Sequence, residues 1–197
     1  MKIGLFFGSF NPVHVGHLIM ANHILNQDLV ERVWFIVSPQ NPLKEKSTLL
    51  RDYDRLFLVK VATEDDLRIK ASDIEFHLPQ PSYTINTLTY LKEKYKNDDF
   101  VIIMGSDSFQ NLDRWKNYEN LVANYDLIIY RRSGFEVVNN LNAKIKVIDA
   151  PFLDISATEI RELVKSGKSI RYMGITLFPF NPTLLINLSV KKLILAI

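Results

Sequence analysis

Residues 8–17 read Gly8-Ser9-Phe10-Asn11-Pro12-Val13-His14-Val15-Gly16-His17. A short apolar run, Lys2–Phe7, precedes them, and a segment with helical character, His17–Asn26, follows. An apolar run of that length closed by glycine predicts a buried strand. The stretch is therefore a strand-to-helix turn, and in an open parallel sheet ligands bind outside the carboxyl ends of the strands. Gly8 permits a tight turn and close approach of backbone to a ligand. Pro12 rigidifies the turn. His14 and His17 are three apart and share one face of a helical start. Free N–H groups at a helix N-terminus attract anions, and two imidazoles there add donors suited to a phosphate chain. The competing reading is a capped turn with two incidental histidines. Two of the chain's four histidines fall in this one loop, which weighs against it.

Outward from the loop, strand-like and helix-like segments alternate. Val33–Val37 is a second buried strand, and Ser38–Pro42 is loop chemistry with two prolines. Arg51–Glu64 carries apolar residues at a helical period, Ile69–Phe76 is extended, and Pro79–Pro81 is a loop. Tyr83–Lys96 is a helix with Ile85, Leu88 and Leu91 on one side and Lys92, Lys94 and Lys96 outside. Phe100–Met104, Asp126–Tyr130 and Ile145–Ile148 are strands. Ser156-Ala157-Thr158-Glu159 has the form of a capping box, opening a helix that runs to about Lys165 and stops near Gly167. This order predicts an α/β fold, a Rossmann-like doubly wound, mostly parallel sheet in a single domain.

Composition bounds the chemistry. The chain has 197 residues, with 47% hydrophobic and 23% charged, as expected of a soluble globular domain. A net charge of +2 argues against binding duplex nucleic acid by bulk electrostatics. There is no cysteine, which excludes disulfides, thiolate catalysis and cysteine-held metal sites. The N-terminal apolar run is shorter than a signal peptide needs, and no run is long enough to span a membrane. A cytoplasmic protein with neither nucleic-acid nor membrane partners is expected.

Two common nucleotide loops do not fit, since the turn has neither Gly-Lys-Ser/Thr nor three glycines at dinucleotide spacing. Residues 8–17 instead resemble the first signature of the HxGH nucleotidyltransferase superfamily. Ile155-Ser156-Ala157-Thr158-Glu159-Ile160-Arg161 resembles its second, Ile-Ser-x-Thr-x-Ile-Arg. Ser38–Lys44, Pro81–Leu88, Met104–Phe109 and Leu112–Lys116 resemble segments of bacterial nicotinate-nucleotide adenylyltransferases. The resemblance covers about residues 1–173.

It implies adenylyl transfer from ATP to nicotinate mononucleotide, giving deamido-NAD and pyrophosphate. The mononucleotide 5′-phosphate would attack the α-phosphorus directly, so no protein nucleophile is needed. Catalysis is then positioning and charge stabilisation. By resemblance, His14 and His17 contact the ATP phosphates, with His17 stabilising the transition state. Gly8, Ser9 and Phe10 supply backbone at the phosphates. Ser156 and Arg161 hold the β- and γ-phosphates, a role suited to the planar guanidinium fork. Gly105 and Asp107 lie by the adenosine ribose, and Arg132 lies near the adenine and phosphates. Lys44 is placed near the mononucleotide phosphate, Tyr83 and Thr84 at the nicotinate carboxylate, and Trp115 against the pyridine ring. Mg²⁺ is expected on the triphosphate, held mainly by phosphate and water rather than by a protein cage. Self-association into a homo-oligomer is left open.

Bland readings stand beside several of these roles: a solvated Lys44, a core Trp115, a helix-capping Asp107. His77 reads as a surface residue and His23 as half-buried. Two departures stand out. Asn86 occupies a position where the family usually has Asp. Residues 174–197 match no family segment: 14 of the 24 are hydrophobic, none is acidic, and Lys191 and Lys192 carry the whole +2 charge. They read as an altered end, a frame-shifted reading of the gene, with a lineage-specific tail as the alternative. Two rival functions remain at this point. One is a sister enzyme acting on nicotinamide mononucleotide or phosphopantetheine, and the other is a non-catalytic pyridine-nucleotide-binding regulator.

Overall fold

The structure, a computed structural model, describes residues 1–39, 49–149, 151 and 155–173. The tail 174–197, the division expected at residue 173 and the candidate Lys44 lie outside the described residues.

Six strands form one all-parallel sheet: β1 (Lys2–Gly8), β2 (Arg32–Val37), β3 (Ile69–Ser72), β4 (Asp99–Gly105), β5 (Asp126–Tyr130) and β6 (Ile145–Ile148). Their spatial order is β3-β2-β1-β4-β5-β6. The order reverses between β1 and β4, the topological switch point where such sheets open a crevice. Six α-helices are described: α1 (Val15–Asn26), α2 (Asp52–Thr63), α3 (Thr84–Lys94), α4 (Ser106–Phe109), α5 (Tyr118–Asn124) and α6 (Ala157–Lys165).

The four central strands are largely apolar because helices cover both faces of the sheet, whereas the edge strands β3 and β6 each carry an exposed lysine, Lys70 and Lys146. Successive side chains alternate between two cores, as the strand period of two requires. Phe6, Val33, Phe35, Val101, Ile103 and Ile128 meet Ala21, Ile24 and Leu25 of α1 and Leu56 and Val59 of α2. Ile3, Leu5, Trp34, Ile36, Ile102, Met104, Leu127 and Ile129 meet Leu88 and Leu91 of α3 and Leu121 of α5. His23 is half-buried, and His77 is exposed beside Asp73.

Two expectations need correction. The extended reading of Ile69–Phe76 holds only to Ser72, after which Ile74–His77 is a 3₁₀ turn. The Ser72 hydroxyl accepts from the Ile74 N–H, and the Asp73 carbonyl accepts from the Phe76 N–H, so local bonds replace the sheet ladder. Helices α4 and α5, absent from the sequence reading, are too short to show a period. The first has four residues, and the second has seven and starts after Asn117 in the left-handed region.

Candidate active site

The turn after β1 is held from several sides. Gly8 faces the Phe10 ring so closely that an added Cβ would sit 2.9 Å from it. Phe10 itself has φ +43°, an uncommon state for a bulky residue that costs about 1–3 kcal/mol. Packing compensates: its ring meets Phe6, Phe35 and His17 at centroid distances of 5.8, 5.1 and 5.1 Å. Asn11 is buried, and its side-chain oxygen accepts from the Leu50 N–H at 3.0 Å.

His14 is the N-cap of α1, and His17 lies one turn in. Their rings stack with centroids 3.7 Å apart. The His14 backbone N–H donates to His17 Nδ1 at 3.2 Å. A neutral His17 that accepts at Nδ1 carries its proton on Nε2, the atom that can then donate to a phosphate oxygen. The His14 ring is buried, and its Nδ1 has no hydrogen-bond partner. Burial, and secondarily the Arg132 charge, lower its pKa to about 4, so His14 is neutral near pH 7.

Helix α6 closes the site from the far end of the chain. Ser156 caps it, its hydroxyl accepting from the Glu159 N–H at 3.1 Å, the serine half of the expected box. Ile160 and Val164 anchor the helix by burial. Arg161, on the next turn, donates to the Asn11 carbonyl at 2.8 Å and to the Thr158 hydroxyl at 3.1 Å. The first and last signatures thus touch directly, 150 residues apart.

These parts line one cavity of about 870 Å³ at the carboxyl ends of β1, β4 and β5. Gly8, Ser9, Phe10, His14, His17, Asp107, Arg132, Ser156 and Arg161 all border it. Asp107 is not a helix cap, correcting that rival reading, because Gly105 holds the cap position of α4. Asp107 instead pairs with Arg132 at 2.9 Å, and its other oxygen has no hydrogen-bond partner. Gly105 lies beneath the pair and does not line the cavity. A Cβ there would sit 2.4 Å from the Asp107 carboxylate. Among the described residues, three basic side chains, Arg131, Arg132 and Arg161, border the space against one carboxylate, Asp107, with Arg131 also paired to Asp149 at 2.7 Å outside it. That balance suits a polyanion.

Tyr83, Thr84 and Trp115 do not line this cavity. Tyr83 caps α3 and Thr84 begins it, as expected. Tyr83 and Trp115 are half-buried against the core of the other sheet face, and the Lys116 ammonium lies 4.4 Å from the Tyr83 ring centre. Asn86 is exposed.

The sequence reading missed several residues here. Ser106 is fully buried, and its hydroxyl accepts from the Arg132 N–H at 2.9 Å. Arg131, Tyr130 and Met20 also border the cavity. Tyr130 and Arg131 were discoverable, because they directly follow or end the predicted strand Asp126–Tyr130 at its carboxyl end.

No group of three or more His, Asp or Glu side chains among the described residues could hold a metal ion. No helix among them is long and apolar enough to cross a membrane.

The cytidylyltransferase-like family pattern matches residues 5–163. A probable nicotinate-nucleotide adenylyltransferase of Flavobacterium johnsoniae is 53% identical over 174 residues, 87% of this chain and 90% of that protein. One of Bacteroides thetaiotaomicron is 45% identical over 173 residues, 87% of this chain and 86% of that one. In fold, the chain is similar to the Plasmodium falciparum nicotinic acid mononucleotide adenylyltransferase complexed with NaAD, with TM-score 0.76 and 21% identity over 98% of each chain. With about half its residues identical to such relatives across nearly their whole length, the chain belongs to the nicotinate-nucleotide adenylyltransferase family.

Proposed function

We infer that the protein transfers the adenylyl group of ATP to nicotinate mononucleotide, releasing pyrophosphate and forming deamido-NAD. The observation that carries this reading is the basic cavity at the switch point, bordered by both histidines and by Arg161. The substrate phosphate oxygen attacks the α-phosphorus, and the bond to pyrophosphate breaks in line. Both reacting groups arrive ionised, so the protein's work is to align them and stabilise the charge that develops. His17 Nε2–H and the backbone around Ser9 and Phe10 meet the phosphates. Arg161 and Ser156 hold the β- and γ-phosphates, with Arg132 near the adenine side. Arg161 brings a further advantage: its bond to the Asn11 carbonyl fixes its direction before ATP arrives.

Mg²⁺ would enter on the triphosphate and supply charge neutralisation. The donor set fits a phosphate-carried ion, since among the described residues Asp107 is the one carboxylate bordering the cavity, and it is already paired with Arg132. One carboxylate does not make a protein cage for a cation that demands six ligands. Tyr83, Thr84 and Trp115 are assigned to the nicotinate ring and carboxylate, with Lys44 near the mononucleotide phosphate. The proposed place of action is the cytoplasm, as for a bacterial enzyme of NAD biosynthesis.

A pyrophosphate-release assay tests the reading, using ATP-Mg²⁺ with nicotinate mononucleotide, nicotinamide mononucleotide or phosphopantetheine as acceptor. The nicotinate form should turn over fastest. Equal or faster turnover of nicotinamide mononucleotide would overturn the substrate assignment, and no turnover of any acceptor would favour a regulator.

A further inference from the structure

Arg55, in the middle of α2, is the bulkiest fully buried side chain among the described residues. A guanidinium stays charged, and burying a charge is costly unless it is paired and hydrogen-bonded. Here it meets five acceptors. Its Nε donates to the Leu50 carbonyl at 3.1 Å, and its Nη1 donates to the carbonyls of Ser9 and Ser38, the latter at 2.8 Å. Its Nη2 donates to the Pro39 carbonyl at 3.3 Å and to the Asp52 carboxylate at 2.8 Å. Ser9 follows β1, and Ser38 and Pro39 follow β2. The Ser38 N–H donates in turn to the Gly8 carbonyl at 2.9 Å. One side chain therefore ties together the carboxyl ends of the two strands and the entry to α2. Arg55 does not itself line the cavity.

We propose that Arg55 is a positioning residue for adenylyl transfer, drawing in the Ser9 carbonyl so that the Phe10 N–H faces the phosphates. The inference rests on the function proposed above. In a trans peptide the carbonyl and the next N–H point in opposite directions. Pulling the Ser9 oxygen toward buried Arg55 turns the Phe10 N–H the other way, and Phe10 borders the cavity. The left-handed backbone of Phe10 makes this peptide one that needs holding. Arg161 grips the same loop at the Asn11 carbonyl, two residues on. The Phe10 ring also contacts the His17 ring, so a slipped loop would displace the histidine as well. Lysine cannot replace this side chain, because a point ammonium lacks the planar fork that serves several acceptors at once.

The experiment compares the full-length wild type with Arg55→Lys and Leu91→Ala. Wild-type turnover of nicotinate mononucleotide, measured first, separates failure of the functional reading from failure of this proposal. Leu91→Ala opens a cavity in the core of the opposite sheet face, and should lower Tm while keeping kcat at temperatures where it is folded. Folded Arg55→Lys should lose kcat on the order of a hundredfold, as misplacement by about an ångström does. A folded Arg55→Lys with wild-type kcat would overturn the proposal, since it would then behave as a merely structural residue. A wild-type measurement covers the case in which the variant does not fold. The Phe10 amide resonance should shift when a non-hydrolysable ATP analogue binds, and a bound analogue that leaves it unmoved would also overturn the proposal.

Discussion

The rim around residues 8–17 and the rim around Tyr83 and Trp115 belong to the same end of one sheet, yet they are assembled from different forces. The first is fixed by hydrogen bonds to backbone. Arg55 and Arg161 bind carbonyls of Ser9 and Asn11, and Leu50 binds the Asn11 side chain. The second is fixed by apolar contact, with two half-buried aromatics leaning on the core of the opposite face. The difference matches what each would hold. Phosphate oxygens demand donors at set directions, which a braced loop supplies. A flat ring demands surface, which aromatic side chains supply with little directional cost.

The strongest way to break this comparison is to remove a donor from the braced rim. His17→Ala should lower kcat by about a hundredfold to a thousandfold, the usual cost of losing one preorganised donor at a developing charge. ATP affinity should fall far less, because the remaining loop and Arg161 still bind the ground state. Steady-state kinetics with each substrate varied separates the two effects. An unchanged turnover number would refute the role given to His17.

The apolar rim should answer differently. Trp115→Ala should raise the KM for nicotinate mononucleotide roughly tenfold to a hundredfold, the worth of a base-like ring stacked on an aromatic. The KM for ATP should hardly move. A variant that loses stability but keeps its mononucleotide KM would return Trp115 to the status of a packing residue.

Legibility in the sequence followed the same divide. The central strands were readable because burial on both faces makes them short, nearly continuous apolar runs. The loop 8–17 was readable because its chemistry is local, ten residues carrying both the turn and the histidines. Arg55 was not recognised, although Asp52, Arg55, Leu56, Val59 and Thr63 lie at helical spacing and four of the five are buried. A charged residue on an apolar stripe is a signal for a buried clamp, but four of its five acceptors are backbone carbonyls, which sequence does not mark; only Asp52, three residues before it, is visible there. Buried Glu75 was hidden for a similar reason. The 3₁₀ turn aims it inward to accept from the Thr87 hydroxyl at 2.8 Å, whereas the segment reads as extended. Burial raises its pKa against the opposing effect of nearby hydroxyls.

Ser156 sits on the boundary between structure and function and gives the finest test. Its hydroxyl caps α6, and the same residue borders the cavity. Ser156→Ala removes both contributions, with an expected stability loss of about 1 kcal/mol and a modest rise in the KM for ATP. That variant alone does not divide the two roles. Ser156→Asp does, because aspartate caps a helix as well as serine yet places a negative charge beside the triphosphate. Its Tm should match the wild type while its KM for ATP rises about tenfold, within the range of a like-charge contact partly screened by water. If Ser156→Asp instead binds ATP as the wild type does, Ser156 is a cap only, and the braced rim holds the β- and γ-phosphates through Arg161 without it.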